Sequence, residues 1–100
     1  MIVRTKQDAG RVLADTPHDK CFLCHDGCVA QNLHQLADCL SHISTDSFRH
    51  HANDSRNDFA NWVRDVFGDD KLAKDLAKAG DRKEAAEIVR NRIAWLKKKL

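Results

Sequence analysis

A mainly helical domain is what this chain predicts: a compact bundle of four to five helices with one short N-terminal β-hairpin at about residues 20–31. Three observations predict it. Apolar residues recur at helical spacing along several separate stretches, most of them opened by an Asn or Asp suited to capping. A single Asp26-Gly27 pair lies between two short apolar runs, a strong local signal for a hairpin. The composition, 42% hydrophobic and 32% charged with four Gly and one Pro, is that of an ordinary soluble globular protein. A hundred residues make one domain, 1–100, with a single modest core. The first seven residues carry no such pattern and are expected to be its least ordered part.

The elements follow in order. Residues 8–14 predict a short helix with Val12 and Leu13 apolar, broken at Thr16-Pro17. Cys21-Phe22-Leu23-Cys24 and Cys28-Val29-Ala30 flank the Asp-Gly pair. A two-residue type I′ turn there would set His25 opposite Cys28 and Cys24 opposite Val29. Asn32 then caps a helix to about Ile43, with Leu33, Leu36, Ala37, Leu40 and Ile43 on one stripe. Thr45 or Asp46 caps a short helix carrying Phe48 and ending near Ala52. Asn57 caps the next, where Phe59, Trp62, Val63, Val66 and Phe67 form a broad apolar face and Gly68 provides the stop. Asp69 or Asp70 starts a helix with Leu72, Ala73, Leu76 and Ala79 inward, ending at Gly80. Asp81-Arg82-Lys83-Glu84 reads as a capping box for a last helix to about Lys99, with Ala85, Ile88, Val89, Ile93, Leu96 and Leu100 inward. The expected core is Phe59, Trp62, Phe67, Leu36, Leu40, Ile88 and Leu96.

Composition excludes some functions. No apolar run reaches the roughly 18–20 residues that cross a bilayer, and the N-terminus has no apolar signal segment, so a cytoplasmic protein without membrane contact is expected. In the cytoplasm four cysteines point to free thiols or a metal before disulfides. Net charge is +2, but residues 82–100 hold seven Lys/Arg against two Glu. Arg90, Arg92, Lys97, Lys98 and Lys99 could touch a nucleic-acid backbone; without interleaved aromatics or a recognised motif, a solvated helix end is the simpler reading.

Two constellations carry chemistry. Cys21-x2-Cys24-x14-Cys39-x2-His42 is close to the spacing of a structural zinc site, where a knuckle and a helix supply two ligands each, with Cys28 or His25 as alternates. Residues three apart on a regular strand face opposite ways, so Cys21 and Cys24 converge only if the chain turns between them. The plainer alternative is small buried thiols. Cys21-x-x-Cys24-His25 also has the form of a haem attachment motif, and four cysteines could hold an iron–sulfur cluster, but neither has further support. The second constellation is His25, Asp26, His51, Asn53, Asn57, Asp58 and Trp62. It is either a polar pocket with histidine as acid, base or ligand, or a set of local caps and backbone bonds. Neither a nucleophile–base triad nor a phosphate-cradling glycine loop is present, which favours a chain that is not an enzyme.

His51-x-Asn53, then Asn57-Asp58-Phe59-x-x-Trp62, Gly68-Asp69 and Leu72-Ala73 carry a resemblance. The stretch from about Lys20 to Lys97 resembles a small, mainly archaeal prokaryotic domain family of unknown function. The resemblance implies that His25, His51, Asn57, Asp58 and Trp62 belong to a common framework; it implies no catalytic residue and no cofactor. The expectation is therefore a non-enzymatic interaction or adaptor domain, partnered by protein or by itself. Zinc bound by the cysteine cluster, or a site on His25, His51, Asn57 and Asp58, are the alternatives.

Overall fold

The computed structural model describes residues 2–100. Its elements are α1 (Lys6–Leu13), a hairpin of β1 (Phe22–Leu23) and β2 (Val29–Ala30), α2 (Leu33–His42), α3 (Thr45–His51), α4 (Asp58–Trp62), α5 (Asp70–Ala77) and α6 (Arg82–Lys97). A 3-10 turn at His18–Lys20 leads into the hairpin, and α4 runs without a break into a π-helical turn at Val63–Phe67. The fold is thus mainly helical with one small antiparallel hairpin, as the sequence predicts.

Most helix starts are set by side chains that satisfy otherwise unpaired backbone N–H groups. Asn32 accepts from Gln35, Asn57 from Ala60 and Asp81 from Glu84. Thr5 and Asp8 form a reciprocal capping box, which starts α1 at Lys6, and Val3 is buried. The cap of α3 is Ser44 rather than Thr45 or Asp46. The box expected at Asp81 is displaced, because the Glu84 carboxylate takes the N–H of Gly80.

Helix α2 packs along α6, with α1 against both; α4 and α5 form a second pair that joins α6 through α5. Leu33, Leu36 and Leu40 of α2 and Val89 and Leu96 of α6 are fully buried in this seam. Phe22 of the hairpin stacks on Phe59 and meets Trp62 edge-on, while Phe48 stacks on Phe59 from α3. Of the expected core, Ile88 is half-buried at the core's edge, and Leu100, expected to face inward, is exposed beyond the end of α6. The regular helix expected through Phe67 widens to π geometry and then stops at Gly68, φ +70.

The hairpin differs from expectation by one residue. Phe22 pairs with Ala30 and Leu23 with Val29, so Cys24 faces Cys28. The Gly27 N–H donates to the Cys24 carbonyl at 2.8 Å and, within the loop, only Gly27 takes positive φ, +92, giving a three-residue loop His25-Asp26-Gly27. The Asp26 carboxylate accepts the Ser44 N–H at 3.0 Å. That tertiary bond ties the loop to the start of α3, a term that turn propensity alone does not contain.

Candidate functional site

The histidine-rich cluster forms at the junction of hairpin, α3 and α4. His51, in the last turn of α3, is buried. Its Nε2 accepts the His25 backbone N–H at 2.8 Å, and its Nδ1 lies 3.0 Å from Asp58 Oδ2. A nitrogen that accepts an N–H carries a lone pair, so the ring proton sits on Nδ1 and is donated to Asp58. Arg56 Nε approaches Asp58 Oδ1 at 3.1 Å. Phe22 contacts the imidazole edge-on.

His25 and His51 therefore meet, but through the His25 amide. The His25 ring instead stacks on His50, centroids 4.4 Å apart. Desolvation, then the neighbouring His25, His51 and Arg56, hold the His50 imidazole below the ordinary histidine pKa, against an opposing pull from Asp58. Asn57 caps α4 with its oxygen and donates its amide to the Leu76 carbonyl at 3.1 Å. Asn53 closes a turn through Ser55 and Arg56 and donates to the Arg49 carbonyl. Trp62 Nε1–H donates to the Lys20 carbonyl at 2.7 Å, tying α4 to the entry of the hairpin. Asn53 and Asn57 also line an open cleft of about 450 Å³ between α3 and the end of α5.

The cysteines regroup relative to the predicted zinc spacing. Cys21 Sγ lies 3.9 Å from both Thr16 Oγ1 and the Pro17 carbonyl, and His42 Nδ1 contacts the Asp38 carbonyl at 2.7 Å on the exposed side of α2. Neither joins Cys24 and Cys39. The sulfurs of Cys24, Cys28 and Cys39 do converge, all within 4.8 Å of one another. Cys28 and Cys39 are disulfide-bonded, with Cα atoms 5.9 Å apart, which corrects the preference for free thiols at these two positions. Cys21 and Cys24 are free. Burial, with Asp26 nearby, pushes the Cys24 thiol up to about 11. The missed signal was hairpin register: with Cys24 opposite Cys28, both sulfurs can reach α2.

Of the basic residues at the end of α6, Arg92 turns inward. It forms two bonds to the buried Asp69 carboxylate, at 2.8 and 2.9 Å, and lies over the Trp95 ring. Arg90 bonds Ser41 across the α2–α6 seam, and the Lys99 ammonium also lies over the Trp95 ring, 4.6 Å from its centroid. Spacing alone could not reveal the Asp69–Arg92 pair, since the two residues are separated by 23 positions and Asp69 reads simply as a cap.

A family model described as a family of unknown function, DUF5752, matches residues 21–99. The chain belongs to this family. In this DUF5752 domain the matched span begins at Cys21, after α1, and takes in the hairpin, the histidine junction, all four cysteines and the Asp69–Arg92 pair. No curated protein and no solved structure matches the chain. Among the described residues no helix is long and apolar enough to cross a membrane.

Proposed function

We propose that this chain is a small non-enzymatic interaction domain that associates with a second copy of itself through the outward face of its hairpin. The observation that carries the reading is the cross-strand pair Leu23 and Val29, 68% and 51% exposed and directly opposite each other. In a two-stranded sheet both strands are edges, and an apolar pair beside open backbone groups favours addition of another chain. The use of the polar junction for internal bonds also supports the reading. With the His51 lone pair taken by the His25 amide and Asn57 spent on a cap and a carbonyl, neither His51 nor Asn57 has its acceptor turned to a substrate. We place the domain in the cytoplasm, without membrane contact, and regard the basic end of α6 as a solvated helix terminus rather than a nucleic-acid surface.

Sedimentation velocity over a range of concentrations tests this, comparing the native chain with the Leu23→Lys, Val29→Lys double variant. Concentration-dependent association of the native chain that the double variant lacks supports the reading. A strict monomer, or association unchanged by the substitutions, overturns it. The zinc alternative draws its support from Cys24, Cys28 and Cys39 rather than from Cys21, Cys24, Cys39 and His42.

A further inference from the structure

We propose that Cys24, Cys28 and Cys39, once the Cys28–Cys39 bond is reduced, form a three-thiolate site for a thiophilic divalent cation of the zinc class. Two independent elements supply the donors: Cys24 and Cys28 face each other across the hairpin, and Cys39 projects from α2. The three sulfurs lie within 4.8 Å of one another. A zinc ion about 2.3 Å from each sulfur in tetrahedral geometry needs sulfurs about 3.8 Å apart. Opening the disulfide lets Cys28 and Cys39 separate toward that spacing by side-chain rotation, with Cys24 already beside them.

Cys24 and Cys39 are buried and Cys28 is half-buried, so the fourth coordination position faces outward past Cys28. Water or an added ligand completes the tetrahedron there, as at zinc sites that keep an open position. The hairpin register makes this set available, and it differs from the set that linear spacing suggests.

The disulfide and the metal are alternatives for the same atoms, and each step balances. A reduced dithiol gives two electrons and two protons to the Cys28–Cys39 bond, becoming a disulfide itself and leaving two protein thiols. Binding the divalent ion to the three thiols releases three protons. The site then carries one net negative charge, and binding tightens as pH rises.

The test uses the full chain, reduced under anaerobic conditions and freed of reductant, titrated with Zn²⁺ and then Cd²⁺. The expected result is one zinc per chain, displaced by the softer cadmium with the appearance of a thiolate-to-cadmium absorbance of three-thiolate strength. Cys24→Ser is expected to weaken binding by at least tenfold. Because this variant retains Cys28 and Cys39, its fold can be verified in the oxidised form. Cys21→Ser and His42→Ala are expected to leave affinity unchanged, and the oxidised native chain is expected to bind no ion until reduced. Failure of the reduced chain to retain an ion overturns the proposal, as does loss of binding in Cys21→Ser or tight binding by the oxidised chain. The docking face of the hairpin does not enter these outcomes, so either proposal can fail without the other.

Discussion

Asp69 has two roles within one buried carboxylate. It caps α5 through the Leu72 N–H and holds the Arg92 guanidinium by two bonds, while being fully shielded from water. A buried ion pair is costly to assemble and costlier to halve, since the remaining charge has no water to replace its partner. Asp69→Asn keeps the capping oxygen and removes the charge. Its expected cost is about 3–5 kcal/mol in urea unfolding, most of it from the stranded Arg92; a loss below about 1 kcal/mol would show that the pair is not buried in solution. His50 offers a milder test. Its lowered pKa means that the folded chain resists protonation there, so its contribution is present above the ordinary histidine value of about 6.5 and fades as pH falls through the folded value. Imidazole NMR titration should place His50 below that value and move it upward in His25→Ala, which removes one of the causes.

At the scale of the elements, the same substitution should have opposite effects at two glycines. Gly10 lies inside α1, and a Cβ added there meets nothing within 4 Å. Gly10→Ala should stabilise the protein by about 0.5–1 kcal/mol, because alanine loses less freedom in a helix. Gly27 also has open space, but its φ is +92. Gly27→Ala should therefore destabilise by about 1–2 kcal/mol through backbone strain alone. Thermal unfolding of both variants decides the matter, and a shift of the same sign in both would contradict the three-residue loop. The helices were legible because their caps and apolar stripes are local: Asn32, Asn57 and Asp81 each act on N–H groups three residues away. The hairpin was legible as a hairpin but not in register. Asp26-Gly27 favours a type I′ turn by itself, whereas in the fold Asp26 is held by the Ser44 amide.

Across the whole molecule, the hairpin and its entry are fastened to the helical body by one disulfide and three hydrogen bonds. These are the Cys28–Cys39 bridge, the His25 amide on His51, the Trp62 indole on the Lys20 carbonyl and Asp26 on the start of α3. The residues of the candidate polar site were visible in the sequence as a dense run of His, Asn and Asp. Their role was not, because it depends on which ring nitrogen meets which amide 26 positions away. The thiol cluster was hidden for a related reason. Spacing grouped Cys21 with Cys24, but strand geometry turns Cys21 toward Thr16 and brings Cys28 in. Convergence of Cys24, Cys28 and Cys39 at the hairpin–α2 contact is tested by peptide mapping of the air-oxidised chain after alkylation of free thiols under native and then denaturing conditions. A Cys28–Cys39 bridge is expected, with Cys21 and Cys24 recovered as alkylated free thiols and Cys24 labelled only after unfolding. A bridge that includes Cys21 would contradict it.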